Sequence, residues 1–260
     1  MENYIVPLIS PLSRKYYDYA CNDEAYLHHR GLDIRHCLEI ICNELVCKLL
    51  EPENPEKWLK YPLFDKIKST SEFLDKQVYS DIMQARLLGN VAVHEGEEGS
   101  YNADDIENAL HAITQFSIEL LYHALDKYGF SEKTPSTLTL VSVLPPVYRV
   151  QVLEKLYKNG TTTYTVIDKL SKAYLKNGEE QKAYDFLKQC LDEAEISYDD
   201  CLYLARGIAQ LSPLLPQCSI AQSLEMSRQN FNRLHNGEDS DAMVCLLSII
   251  LNGVPSSSDM

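Results

Sequence analysis

The sequence predicts an all-α protein. Three observations carry this: apolar residues recur at alternating steps of three and four over long stretches, prolines, glycines and a capping Asn102 punctuate those stretches, and no strand-rich block occurs anywhere. With 260 residues, the chain is long enough for two modest cores, since domains usually run to roughly 100–150 residues. The expected layout is a helical bundle over 1–130, a linker over 131–145, a stack of helical hairpins over 146–251 and a frayed tail over 252–260.

From Ile34 to Leu50, the positions Leu38, Ile41, Cys42, Leu45, Val46 and Leu49 paint one helical stripe. The following EPENPEKWLKYP holds three prolines, which remove backbone donors and force the chain to turn. A second helix is predicted from Ser71 to His94 on Leu74, Val78, Ile82, Leu87, Leu88 and Val91, ending at the acidic EGEEGS. A third starts at Asn102, whose side chain can accept from free amides while Asp105 favours the positive end of the helix dipole.

The segment Tyr128 to Pro146 breaks the helical period, and its LTLVSV core is read as a possible short strand. Further helices are expected at 147–158, 163–177, 179–195, 198–211, 218–235 and 240–251.

Hydrophobic residues make up 45 % of the chain and charged residues 24 %, as in an ordinary globular protein. No apolar run reaches the roughly 18–20 residues of a membrane span, and the opening MENYIVPLISPLSRK has no basic region ahead of an apolar one. A cytoplasmic protein, neither exported nor inserted in a membrane, is therefore expected. The eight cysteines form no C-x-x-C pair and are read as reduced thiols. Cys37, Cys42 and Cys47 step by five around a helix, which suits core packing and not zinc ligation. A formal net charge of −14 disfavours passive binding to nucleic acid, which needs clustered Lys and Arg. Ten glycines leave little room for a nucleotide loop, and no metal or cofactor motif is present, so neither is expected.

Arg86, Asn90 and His94 are successive steps of four, so their side chains form one slanted row along the second helix. Three readings of the row stay open. It can tie helices together through hydrogen bonds, with Arg86 pairing a carboxylate such as Glu39. It can be catalytic, His94 moving a proton and Arg86 steadying a phosphate in metal-free RNA cleavage. It can also bind a small ligand or nucleotide.

The segment Arg86 to Leu125, RLLGNVAVHEGEEGSYNADDIENALHAITQFSIELLYHAL, resembles the bacterial domain-of-unknown-function 4145 family of the HEPN superfamily. Arg86, Gly89, Asn90 and His94 stand where that family has an arginine, a Gly-Asn pair and a closing histidine. DIRHCLEIICNEL, with Arg35 and Glu39 one turn apart, looks like its first core helix. The likeness covers about residues 20–128 and implies a HEPN-like bundle.

Active HEPN ribonucleases space arginine and histidine more closely than Arg86 and His94, which have seven residues between them. Arg30 and His36 satisfy the closer spacing but straddle Gly31 and Asp33 at a helix start, and with His28 and His29 they are read as helix entry.

In the second half, Ile167, Leu170, Ser171, Tyr174, Gly178, Ala183, Leu187 and Cys190 resemble one tetratricopeptide repeat. Cys201, Leu204, Ala205 and Ile208 match the first half of another, which Pro213 and Pro216 interrupt. Stacked helical hairpins offer surfaces to other proteins and carry no chemistry of their own. The resemblances together imply a non-catalytic, partner-binding or regulatory subunit of a bacterial defence or restriction-type system, acting as a homodimer with protein partners. The alternative is a metal-independent endoribonuclease whose dimer uses Arg86, Asn90 and His94 on RNA.

Overall fold

A computed structural model of the chain describes residues 5–93, 101–159, 163–234 and 241–254. The protein is all-α, and the described residues contain no strand. Two compact units make it up, one of residues 1–123 with 245–260 and the other of 124–244. His94, the EGEEGS segment's residues 95–100 and the tail residues 255–260 lie outside the described part.

The first unit contains α1 (Pro11–Ala20), α2 (Leu27–Ile41), a π-helical turn over Cys42–Val46, α3 (Cys47–Leu50), α4 (Pro55–Leu59), α5 (Leu63–Lys68), α6 (Lys76–Val93) and the greater part of α7 (Ala103–Tyr128). The stripe predicted from Ile34 to Leu50 is continuous helix through the π turn, and Leu38, Ile41, Cys42, Leu45, Val46 and Leu49 are all at most 1 % exposed. Across the π turn the Cys47 N–H donates to the Cys42 carbonyl, five residues back. Here the Cys42 carbonyl accepts from the Trp58 indole Nε1–H at 3.1 Å, while the buried Lys66 ammonium donates to Asn43 Oδ1 at 2.7 Å and to the Leu59 carbonyl at 3.0 Å. Those bonds anchor α4 and α5, two helices that the proline-rich stretch concealed. Pro55 sits at the start of α4, where its missing N–H is harmless, and Asn54 Oδ1 caps the helix by accepting from Lys57 N at 2.9 Å.

α1 and α6 both pack on α2. The crossing with α6 is tight because Gly31 and Gly89 lie in it. A Cβ built on Gly89 would stand 2.7 Å from Arg35 Cβ and 3.3 Å from its Cα; one on Gly31 would stand 2.8 Å from Ala92 Cβ. Polar groups tie α7 to the same core. The Leu8 amide donates to Ser117 Oγ at 3.0 Å, and Tyr17 Oη and Thr114 Oγ1 are 3.3 Å apart. Asn102 opens α7 as expected: its Oδ1 accepts from Asp104 N and Asp105 N, and its own N–H donates to Asp105 Oδ2 at 2.8 Å.

The second unit takes α7 onward through α8 (Pro135–Ser142), α9 (Pro146–Lys158), α10 (Tyr164–Lys176), α11 (Glu180–Asp192), α12 (Tyr198–Leu211), a 3-10 turn over Ser212–Gln217 and α13 (Leu224–Leu234); the division falls again inside α14 (Ala242–Asn252). The LTLVSV segment is helical, within and just after α8, and not a strand. Pro135 fixes a helix start, and a four-step pattern buries Thr137 and Val141 together with Leu140.

α10 packs against α9 and α11, and α11 against α12. Ile167, Leu170, Ser171, Ala183, Leu187 and Cys190 are buried in this stack. Gly178, between α10 and α11, has φ +83° with nothing within 4 Å of a built Cβ, so the turn requires it for backbone conformation alone. Ser197 and Asp200 form a reciprocal cap on α12, and Pro213 and Pro216 convert its end into the 3-10 turn.

Close approach therefore matters at Gly89, while Gly207 in α12 has open space around it. In urea unfolding, Gly89→Ala should lose about 2–3 kcal/mol by overpacking. Gly207→Ala should be neutral or gain up to about 1 kcal/mol from helix propensity. Equal effects at the two positions would remove the argument for a tight α2–α6 crossing.

Candidate functional site

The predicted row lies on α6. Positions 86 and 90 are about 40° apart around a helix that turns about 100° per residue, beside the stripe that buries Val78, Ile82, Ala85, Gly89 and Ala92. Arg86 places its guanidinium over the Phe64 ring, 5.1 Å from the centroid, and its Nε is buried with no hydrogen-bond partner among the described residues. Asn90 turns to α2 instead, where its Oδ1 accepts from Arg35 Nη1. Arg35 Nε donates in turn to Glu39 Oε1 at 3.0 Å. Glu39 thus answers Arg35, one turn earlier on its own helix, and does not pair with Arg86.

The two described members of the row go to different neighbours, Arg86 to α5 and Asn90 to α2. Asn90, Arg35 and Glu39 form a chain of hydrogen bonds beside the Gly89–Arg35 contact. A bond from an ionised donor is worth roughly 1.5–3 kcal/mol when partly buried, so this chain reinforces the helix crossing.

Arg30 and His36 are not brought together. Arg30 is 3 % exposed and is occupied by the Ala20 carbonyl at 2.6 Å, Glu107 Oε1 at 2.8 Å and Asp23 Oδ1 at 3.1 Å. His36 is exposed and packs on Tyr16, with ring centroids 5.2 Å apart. Burial also governs the thiols on α2 and the π turn. It pushes the Cys37 thiol far up and the Cys42 thiol up to about 12, so both stay protonated and inert at neutral pH. No group of metal-ligating side chains occurs among the described residues.

On the opposite flank of the buried stripe, α6 and α7 enclose a groove of about 520 Å³. Neither Arg86 nor Asn90 lines it. Its walls carry Asp81, Gln84, Asp105, Asn108 and His111 around Leu88 and Val91, and Leu87 at its edge is 51 % exposed. Among the described residues, the lining contains no lysine or arginine. Carboxylates and amides on an apolar floor accept and donate hydrogen bonds to a polypeptide, and they repel phosphate.

A second pocket, in the other unit, has the opposite charge. Arg149, Lys169, Lys172 and Lys176 share a cavity of about 360 Å³ with apolar residues of α8 and α9. Sequence reasoning missed it. The signal was the spacing of 169, 172 and 176, which gathers three lysines on one helix face.

Asn90→Ala should destabilise the protein by about 1.5 kcal/mol. In an Arg35→Met background most of that loss should vanish, as a double-mutant cycle in urea would read. Additive losses would mean that the two side chains are not coupled. Compared with protein families, with curated proteins and with solved structures, the chain matches none of them.

Proposed function

We propose that this chain is a non-catalytic, partner-binding or regulatory subunit, and that the groove between α6 and α7 takes a basic or amide-rich segment of a partner protein. The groove's chemistry carries this reading. Asp81 and Asp105 face an apolar floor that includes Leu88 and Val91, in a chain of net charge −14. Electrostatic complementarity of that kind selects a cationic partner and speeds its encounter. The bonding of Asn90 to Arg35 supports the same reading, because a side chain engaged in holding two helices is less free to act on a substrate.

The proposed setting, a bacterial defence or restriction-type system in the cytoplasm with the subunit as a homodimer, is what the resemblance of Arg86–Leu125 to HEPN proteins implies. No helix among the described residues is long and apolar enough to cross a membrane, which is compatible with that setting.

A metal-independent endoribonuclease is the second reading, and one observation favours it. Arg86 keeps a buried Nε–H without a partner among the described residues, a donor that a phosphate oxygen could take.

Affinity capture from the native host with wild type, Asp81→Lys and Leu87→Lys separates these readings. A partner held by the wild type should be weakened at least about tenfold, some 1.4 kcal/mol, by either substitution, with melting temperatures unchanged. Light scattering after gel filtration distinguishes a second copy from a foreign chain. An identical captured set from all three proteins would sink the groove. RNA cleavage by the wild type that is lost in His94→Ala would replace the subunit reading with the ribonuclease.

A further inference from the structure

The pocket in the second unit is built from three helices. α10 contributes Lys169, Lys172, Ala173 and Lys176, which fall on one face at steps of three and four. α9 contributes Arg149 and Leu153, one turn apart, and α8 contributes Leu138 and Val141, with Phe130 closing the apolar side. The cavity, about 360 Å³, falls within the ordinary range for small-ligand sites of roughly 300–1,000 Å³.

Arg149 is the decisive residue. It is only 7 % exposed, a rare state for an arginine that has no carboxylate partner. Its Nε donates to the Leu144 carbonyl at 2.6 Å, which fixes the plane of the guanidinium. Among the described residues no protein acceptor takes the two terminal nitrogens. Burial lowers this guanidinium to about 10, which leaves it charged at neutral pH and in need of a counter-charge.

Among the described residues, Asp168 is the one carboxylate bonded to the cluster. It accepts from Lys169 at 2.9 Å and from Lys172 at 2.5 Å, so a single negative charge is shared between two lysines. Lys176 has no ion pair among the described residues. Burial first, and then the charge of Arg149, lower its ammonium below the usual range. Four cations around one carboxylate leave an excess of positive charge in a strongly acidic protein.

We propose that this pocket binds a small phosphate ester, its phosphate held by Arg149, Lys172 and Lys176 and its apolar body resting on Phe130, Leu138 and Val141. A phosphate monoester carries up to two negative charges near neutral pH and several acceptor oxygens, which suits a fixed guanidinium fork flanked by ammonium groups. A carboxylate brings one charge and neutralises less of the excess. The apolar wall adds affinity that inorganic phosphate lacks. This site is independent of the α6–α7 groove and would give a partner-binding subunit a way to sense a soluble signal.

Calorimetric titration of the full chain with phenyl phosphate, inorganic phosphate and benzoate, at neutral pH and low salt, tests the assignment. Phenyl phosphate should bind at least about tenfold more tightly than either of the others. Lys176→Gln, which breaks no ion pair, should weaken it about fivefold and Lys176→Arg should restore it. Arg149→Met should abolish binding, but it also perturbs a buried site, so the Lys176 pair decides. Leu87→Lys should leave the titration unchanged, which separates failure here from failure of the groove. No heat from phenyl phosphate, benzoate binding as tightly, or an unaltered affinity in Lys176→Gln would overturn the proposal.

Discussion

Gly89 lies so close to Arg35 that a Cβ on it would stand 2.7 Å from the Arg35 Cβ, and the first unit is organised around that contact. Because α6 approaches α2 so closely there, the side chains at its margins cannot point inward and must find partners along the seam. Asn90 finds Arg35, Arg35 finds Glu39, and Arg86 lies on Phe64. The same closeness constrains the rotation of α6, which leaves Leu88 and Val91 lining the groove it shares with α7. A polar row and an acidic groove are two flanks of one helix whose third face is committed to packing. Moving α6 outward by one methyl group would disturb both.

Polar residues do a second kind of structural work in this unit. Arg30 gathers the end of α1, the Asp23 turn and α7 onto one buried guanidinium, and Lys66 joins α5 to the π turn and to the end of α4. Neither side chain reaches a reacting group. Both replace hydrophobic contact at places where backbone carbonyls would otherwise be buried without donors.

Much of the fold was legible from periodicity and caps. The stripe from Ile34 to Leu50, the Asn102 start of α7 and the Gly178 turn follow from local rules that tertiary contacts merely confirm. What escaped had a physical cause. α4 and α5 are too short to show a period, and they exist because Trp58 and Lys66 have somewhere to bond. LTLVSV has β-branched residues and no polar alternation, so a buried helix and a buried strand read alike until Pro135 is seen to start one. For the site, the row on α6 was visible as geometry, but which partner each member takes depended on α2 and α5. Arg149 could not be found at all by pattern, since its significance is burial without a carboxylate.

The π turn at Cys42–Val46 has a consequence for how this helix can change over time. It holds one residue more than a regular helix would use over the same rise, and its Cys42 carbonyl, which accepts from the Cys47 N–H, accepts from Trp58 as well. Deleting that surplus residue would restore ordinary i to i+4 hydrogen bonding and leave Leu49 on the buried face, at the cost of the local geometry that Trp58 meets. The turn is therefore the one place on this helix where length can change without turning its flanks, and the Trp58 indole is the contact that registers such a change.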